Sequence, residues 1–243
     1  FAPGIMVASP ELALVQAALT HDMADLALLC YEFCGTYRAI DEQQTAYGQD
    51  PLTSVAALAA FCRRSKGLYG VGALRRVIES VCDNSGSPAE SALASAFCLP
   101  RCRGGYGLPK PALNQQIELN DAARRTLHHE RIRPDFLWPG VAGEYDGRLY
   151  HSDGEQAERD ERRRTAYNAT GLDVVIFSTR HMKSTQALDD QVALVRRRLG
   201  LRRPATLPRN YDEQHEQLLA SLCSYWRGVH SYPEAPSQWD YLA

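Results

Sequence analysis

Acidic residues flank a predicted turn in the second half of the chain, at a spacing that could hold a divalent metal ion. Asp135 comes before the turn at Pro139-Gly140, and Glu144 and Asp146 come after it. If the chain reverses at Pro139-Gly140, Asp135 lies opposite Glu144 in an antiparallel hairpin, with Cβ atoms roughly 4.5–5.5 Å apart on one face. Asp146 shares that face because side chains alternate along a strand. The pattern therefore predicts three convergent carboxylates.

Three carboxylates on one face repel one another and raise each other's pKa values unless a cation neutralises them. Hard cations such as Mg²⁺ or Mn²⁺ bind carboxylate oxygens and retain water molecules. Such an ion lowers the pKa of a bound water and neutralises charge on a phosphodiester. The spacing therefore predicts a Mg²⁺ (or Mn²⁺) site for phosphodiester hydrolysis. His151 follows the acids and is a candidate general base or ligand, because histidine titrates near neutrality.

Two alternatives remain open for this hairpin. A three-residue turn would shift the strand register and move Asp135 to the face opposite Glu144. The segment could also be a surface hairpin with scattered acids. Against the second alternative, Phe136, Trp138 and Val141 make the strands apolar enough to be partly buried, and buried strands seldom carry three acids.

Arginines cluster around these acids, although the formal net charge of the chain is only −2. Runs of arginine are usually solvated faces, and that interpretation stays open. Their grouping near the acids nonetheless favours a phosphate-rich partner, and we expect DNA. The candidate contacts are Arg133, Arg163, Arg164 and Lys183, with Tyr167 on the same predicted helix as Arg163 and Arg164.

Length and composition fit an ordinary globular chain. Its 243 residues are 44% hydrophobic, which suits one large domain or two small ones. No apolar run approaches the ~18 residues that cross a bilayer, and residues 1–10 lack the layout of a secretion signal. We therefore expect no membrane partner and a cytoplasmic location. The seven cysteines include no C-x-x-C pair, which favours buried, reduced thiols over a zinc site.

The elements that would position these residues follow from hydrophobic periodicity and capping signals. In the N-terminal part, the sequence predicts one helix over residues 10–34, a loop over 36–51, and helices over 55–64 and 73–82. The break at residues 84–86 is a soft boundary, so residues 1–84 are expected to form a helical N-terminal region.

After that boundary, helices and strands alternate. The expected elements are a helix over 87–99, strands over 113–119, 131–138 and 141–149, a helix over 155–170, a strand over 173–178, and helices over 187–199 and 211–226. A strand, a helix and a second buried strand form a crossover unit, which we expect to be right-handed.

The acidic hairpin resembles the PD-(D/E)xK nuclease superfamily, and most closely its branch of very-short-patch-repair-like endonucleases. The residues that carry the resemblance are Asp135-Phe136-Leu137-Trp138-Pro139, Glu144-Tyr145-Asp146-Gly147, His151, Asp160 with Arg163, and Gly171-Leu172-Asp173-Val174-Val175. The likeness spans about residues 87–200. Asp160 and Arg163 are one helical turn apart, so a salt bridge is another explanation for that pair.

The resemblance implies a restriction-endonuclease-like three-layer α+β domain over residues 85–203, in which helices flank a central mixed sheet. A C-terminal helix and tail over 204–243 follow. In this domain Asp135 and Glu144 would hold the metal, and Asp146 stands where the superfamily has a lysine. Glu90 matches the superfamily's first-helix acid, but Ser87-x-x-Glu90 is equally a capping box.

A second, shorter likeness concerns the start of the chain. Ala8-Ser9-Pro10-Glu11-Leu12 is similar to the middle region of AbiEi-type antitoxin proteins, which would imply a DNA-binding winged-helix segment before Phe1. Two functions are therefore expected. The first is a metal-dependent DNA endonuclease, for which a homodimer would allow both strands to be cut. The second is a catalytically silent DNA- or protein-binding module, as in a toxin–antitoxin-type regulatory system.

Overall fold

The computed structural model describes residues 4–41, 44–121, 124–125, 130–147, 164–165, 167–202 and 204–229. Within these ranges the chain has a mixed α+β fold: helices precede and surround a small four-stranded sheet, and two separate hairpins accompany it. His151, Asp160, Arg163 and most of the helix predicted over 155–170 lie outside the described residues.

Four helices and one hairpin form the N-terminal part. They are α1 (Pro10–Ala17), α2 (Met23–Cys34), β1 (Tyr37–Asp41), β2 (Gln44–Tyr47), α3 (Val55–Arg64) and α4 (Val71–Ile78). The prediction for α3 is confirmed, with the Ser54 side chain capping its first turn. Helix α4 starts at Val71, before its predicted first residue, where Gly70 in the left-handed region precedes it. It ends at Ile78, before its predicted last residue.

The prediction of one helix over residues 10–34 was wrong. The chain breaks after Ala17, and the Asp22 side chain accepts a hydrogen bond from the amide of Asp25, which begins α2 as a separate helix. An aspartate at this position satisfies an amide that has no partner within the helix. Gly35 ends α2 as predicted.

The loop predicted over residues 36–51 contains the β1–β2 hairpin. Arg38 stabilises this hairpin, since its guanidinium donates to the carbonyl oxygens of Glu32 at 2.7 Å and Asp50 at 2.6 Å. Tyr37 is completely buried, and its hydroxyl lies 2.8 Å from Ser91 Oγ and 3.2 Å from Tyr225 Oη. These partners are distant in sequence, so the polar composition of the segment gave no sign of the hairpin.

The second part contains the sheet and the helices against it. Its elements are α5 (Pro88–Cys98), a 3₁₀ turn (Arg101–Arg103), β3 (Ala112–Leu113), β4 (Ile117–Glu118), β5 (Arg131–Ile132), β6 (Phe136–Trp138), β7 (Val141–Asp146), β8 (Asp173–Ser178), α6 (Thr179–Lys183), α7 (Thr185–Arg198) and α8 (Tyr211–Val229). The strand order is β3-β6-β7-β8, and β4 pairs with β5 outside this sheet. β7 and β8 pair in parallel, as a crossover connection between neighbouring strands requires.

Two of the predicted strands are interrupted. The strand over 113–119 is divided at Asn114, whose φ of 52° takes the backbone out of the extended region. The strand over 131–138 is divided at Arg133-Pro134, because proline has no N–H to donate to a ladder. Both breaks lie beside Asp135 and therefore shape its surroundings.

Phe97 of α5 is the centre of the main core. Its ring centroid lies 5.3 Å from that of Phe136, 5.8 Å from Trp138 and 5.0 Å from Phe177. The same buried cluster continues from Leu14 in α1 to Trp226 in α8. Residues on both sides of the boundary predicted at 84–85, and of the one predicted at 203–204, thus share one apolar core.

Ala142, Ile132, Leu119 and Tyr167 form a smaller cluster on the other face of the sheet. None of the helices in the described part of the chain is long and apolar enough to cross a membrane. All seven cysteines are free thiols. Five are buried as predicted, whereas Cys102 is exposed and Cys223 is half-buried.

Candidate functional site

The β6–β7 hairpin has the predicted register. Trp138 pairs with Val141, Leu137 with Ala142 and Phe136 with Gly143. The turn therefore consists of Pro139-Gly140, with Gly140 at a φ of 76° that favours glycine. The three-residue alternative is thereby excluded. Continuing this register by one position places Asp135 opposite Glu144.

Glu144 is a buried carboxylate on the face of the sheet that carries the smaller core cluster. Only 4% of its surface is exposed, and its Oε1 accepts a hydrogen bond from the Tyr167 hydroxyl. Tyr167 is itself completely buried, in helical residues 167–170 before β8. A buried carboxylate needs such a donor, since desolvation without one is costly. Tyr167 therefore does not face nucleic acid as predicted; it orients Glu144.

Asp135 is half-buried just before β6. Its Oδ2 accepts a 2.7 Å hydrogen bond from the backbone N–H of Tyr145, the residue after Glu144. Its carbonyl oxygen accepts from the backbone N–H of Asn114 at 3.2 Å. The side chain of Asp135 thus binds the strand that carries Glu144, which fixes the two acids on neighbouring strands.

Asp146 is half-buried at the end of β7, where it pairs with Ser178 of β8. Beyond it, the Thr179 hydroxyl donates to the Gly147 carbonyl oxygen at 2.9 Å. Among the described residues, no group of three or more His, Cys, Asp or Glu side chains is placed to hold a metal ion. Asp135, Glu144 and Asp146 therefore do not form the three-carboxylate cluster that alternation along the strand predicts.

Glu90 caps the start of α5. Its Oε1 accepts from Ser87 Oγ at 2.9 Å, and its Oε2 accepts from the Gly86 amide at 2.8 Å and from Asn114 Nδ2 at 2.5 Å. The Ser87 side chain caps the helix by accepting from the Glu90 amide at 3.2 Å, and the Glu90 carboxylate binds the amide of Gly86, one position before the N-cap amide that a capping box uses. Burial raises the pKa of Glu90, and these hydrogen bonds together with the charge of Arg133 oppose the increase.

Asn114 connects this cap to the acidic hairpin. Its side chain binds Glu90, and its backbone N–H binds the carbonyl oxygen of Asp135. Sequence reasoning missed both Asn114 and the orienting role of Tyr167. Asparagine adopts the left-handed backbone conformation more readily than most residues. Asn114 within the predicted strand was therefore a signal for a strand break. For Tyr167 no signal existed, because its partner is 23 positions away.

The predicted nucleic-acid contacts occupy different places. Arg133 is exposed close enough to Glu90 to influence its pKa, and Arg164 is exposed just before Tyr167. Lys183 is exposed at the end of α6, with its Nζ 5.9 Å from the centre of the Trp226 ring. The structure therefore brings Arg133 to the acidic hairpin and places Lys183 beside α8.

No family model, no curated protein and no solved structure matches this chain. The likeness to PD-(D/E)xK nucleases thus has its support in the motif residues and their arrangement. Of these, Asp135 lies just before β6, and Glu144 and Asp146 lie in the adjacent strand β7. His151, Asp160 and Arg163 lie outside the described residues.

Proposed function

We propose that this chain is a metal-dependent endonuclease that hydrolyses DNA phosphodiester bonds, with Asp135 and Glu144 as ligands of Mg²⁺ or Mn²⁺. The observation that carries the proposal is the β6–β7 register, which would pair Asp135 with the buried Glu144 if it were extended by one position beyond Phe136 and Gly143. Carboxylate oxygens are the donors that hard cations prefer, so this pair fits such an ion chemically. Because only two carboxylates would bind the ion, several of its coordination positions would remain occupied by water.

The arrangement of elements agrees with a restriction-endonuclease-like domain over residues 85–203. Helix α5 precedes the sheet, the antiparallel β6–β7 hairpin carries the acids, β8 runs parallel to β7, and α7 packs on β8. This is the order that the resemblance implies. The likeness of residues 8–12 to AbiEi-type antitoxins remains part of the proposal for the N-terminal region.

The hydrogen bonds to Asp135 and Glu144 are compatible with a role as metal ligands. A carboxylate accepts at about four lone-pair positions, so a donor and a cation can bind it together. Ligand carboxylates are commonly held by such donors, and losing the donor weakens metal binding. Tyr167 and the Tyr145 amide would thus fix the ligand geometry before an ion binds.

Each remaining residue has a defined part in the proposal. A bound ion would supply an activated water and neutralise phosphate charge. Arg133, Arg163, Arg164 and Lys183 would bind the DNA backbone, and His151 would accept the proton of the attacking water. Asp146 cannot supply the positive charge of a lysine, so the basic residues must provide it. The protein would act in the cytoplasm, and a homodimer could cut both strands.

A second function has two observations in its favour. Asp146 stands where the motif has a lysine, and Glu90, which matches the first-helix acid, is engaged in the helix cap. A nuclease-like domain without turnover would then bind DNA or a protein partner.

Cleavage of plasmid DNA in Mg²⁺ or Mn²⁺ separates the two functions. We expect the wild-type chain to nick plasmid, and Asp135→Asn and Glu144→Gln to reduce the rate at least about a hundredfold. Asp190→Asn is the matched control, because Asp190 is an exposed acid of α7. Salt-dependent DNA binding without cleavage would establish the binding module instead. Cleavage that both substitutions leave unchanged would exclude this hairpin as the site.

A further inference from the structure

A cavity of about 320 Å³ lies among α5, α6, α7 and α8. It is on the α5 side of the sheet, whereas Glu144 and Tyr167 are on the opposite side. Its floor is apolar and includes Ala92, Ala96, Leu188 and Leu222. Cavities of roughly 300–1,000 Å³ with an apolar lining and a few polar groups are typical small-molecule sites.

His181 contributes a hydrogen-bond donor to this cavity. Its Nδ1 accepts from the backbone N–H of Ser178 at 2.9 Å and also lies 3.0 Å from Ser178 Oγ. A ring nitrogen that accepts an amide hydrogen carries no proton, so the neutral ring has its hydrogen on Nε2. Burial lowers the pKa of His181, and the charge of Arg180 lowers it further, which keeps the ring neutral near pH 7.

Lys183 brings a positive charge to the same cavity. It is exposed at the end of α6, with Nζ over the ring of Trp226, and Thr185 also lines the cavity. A cation over an aromatic face is held in place while it stays able to bind an anion. His181, Lys183 and Thr185 are close in sequence, all line the cavity and can each donate a hydrogen bond.

Glu216 is the acid of the cavity lining. It precedes Trp226 by ten positions in α8, which is about 15 Å along a helix axis. An α-amino acid holds its opposite charges only a few ångströms apart, so it could not satisfy Lys183 and Glu216 together. A dicarboxylate is disfavoured as well, because its second negative charge would be repelled by Glu216.

We propose that this cavity binds a small amphipathic monocarboxylate. The carboxylate lies against His181 Nε2–H and Lys183 Nζ, and the hydrocarbon part covers the alanine and leucine floor. The cavity begins where β8 ends and α6 starts, which is the usual position of ligand sites at the carboxyl ends of parallel strands. The proposal does not rest on nuclease activity, because the cavity residues lie outside the acidic hairpin; of them, Lys183 alone is also a proposed DNA contact.

Isothermal titration with three probes tests the ligand class. We expect octanoate to bind, and octylamine and leucine to bind at least about tenfold more weakly. Octylamine lacks the carboxylate that accepts charge-assisted hydrogen bonds, and leucine would bring its ammonium group close to Lys183 and out of reach of Glu216. Equal dissociation constants for octanoate and octylamine would contradict a carboxylate site. Absence of octanoate binding at millimolar concentration would contradict the proposal altogether.

Three variants test the position of the ligand. Lys183→Gln should weaken octanoate binding about tenfold, and Ala220→Trp, on the exposed rim of the cavity, should abolish it. Arg197→Gln is the matched control, since it removes an exposed cation of α7 outside the cavity. Circular dichroism would verify that each variant folds. Octanoate binding that is unchanged in both Lys183→Gln and Ala220→Trp would place the ligand elsewhere and overturn the proposal.

Discussion

The backbone N–H of Tyr145 donates a 2.7 Å hydrogen bond to Asp135 Oδ2. This bond joins the two strands of the hairpin one step beyond their last backbone pair, Phe136 with Gly143. It holds Asp135 against Tyr145, the residue that follows Glu144 in β7. The carboxylate of Asp135 thus has a structural role whether or not a metal ion also binds it.

The two roles of Asp135 predict different effects for two substitutions. Asp135→Ala removes the acceptor of the Tyr145 amide and should lower the free energy of unfolding by about 1–2 kcal/mol. Asp135→Asn retains an oxygen acceptor and should cost less, while it removes the charge that a cation needs. Urea unfolding together with Mn²⁺ binding measures both. Equal destabilisation by Ala and Asn would show that the hydrogen bond contributes little.

Removal of the Tyr167 hydroxyl should destabilise the protein. Tyr167→Phe leaves the buried Glu144 carboxylate without this donor, and we expect a loss of about 1–3 kcal/mol in urea unfolding. Tyr69→Phe is the control, because Tyr69 is 89% exposed. If Glu144 is a metal ligand, Tyr167→Phe should also weaken Mn²⁺ binding by about 10–100-fold. If Tyr167→Phe were as stable as the control, this result would contradict an orienting role for Tyr167.

His215 joins α8 to α7 and to the turn after α5. Its Nδ1 lies 2.6 Å from the Gly104 carbonyl oxygen and its Nε2 lies 3.2 Å from Asp189 Oδ1, so both ring nitrogens face acceptors. Burial lowers the pKa of His215, but these two partners outweigh it and raise the pKa above its usual value. For Asp189, burial raises the pKa, and hydrogen bonds from His215 and Tyr106 outweigh it, so that the pKa is lowered.

The raised pKa of His215 predicts that stability falls as pH rises above about 6.5. The histidine contribution is complete below about pH 6.5, the value of the unfolded chain, and is lost as pH rises through the higher folded-state pKa. The Asp189 contribution is complete above about pH 3.9 and is lost as pH falls through its lower folded-state pKa. The pair therefore stabilises most between these two values. Thermal unfolding of His215→Gln against pH should lack the decline above about pH 6.5, whereas the exposed His21→Gln should retain it.

Two glycine substitutions should change stability in opposite directions. A Cβ on Gly143 would lie 3.1 Å from Phe136 Cβ and 3.3 Å from Trp138 Cζ3, across the hairpin. Gly143→Ala should therefore lower the free energy of unfolding by about 1–3 kcal/mol. At Gly72 in α4, the nearest atom is Arg76 Nη1 at 3.8 Å, so Gly72→Ala should raise it by about 0.5 kcal/mol. Chemical denaturation measures the free energy of unfolding of both variants. An unchanged value for Gly143→Ala would show that the hairpin strands can move apart to accommodate the added Cβ.

The continuous core predicts that the chain unfolds in one cooperative transition. Phe97→Ala removes a ring that contacts Phe136, Trp138 and Phe177 and should cost about 3–5 kcal/mol. Circular dichroism of the helices and tryptophan fluorescence should shift together, because residues before and after position 84 share this core. Two separated transitions in the wild type would instead support independent units at the predicted boundary.

Local signals predicted the elements that depend on local chemistry. Ser54 and Ser87 cap α3 and α5 as expected, and Gly35 ends α2. Pro139-Gly140 fixed the turn, and the turn fixed the register of β6 and β7. The β1–β2 hairpin was missed because its support comes from Ser91 and Tyr225, which are distant in sequence.

The sequence by itself determined the hairpin and its register, because turn geometry and strand alternation act over a few residues. Only the tertiary structure decided what each acid contacts. Glu90 binds the start of its own helix and Asn114, Asp135 binds the Tyr145 amide, and Glu144 binds Tyr167. Those partners were fixed by burial, since a desolvated carboxylate takes whichever donors the packing brings to it.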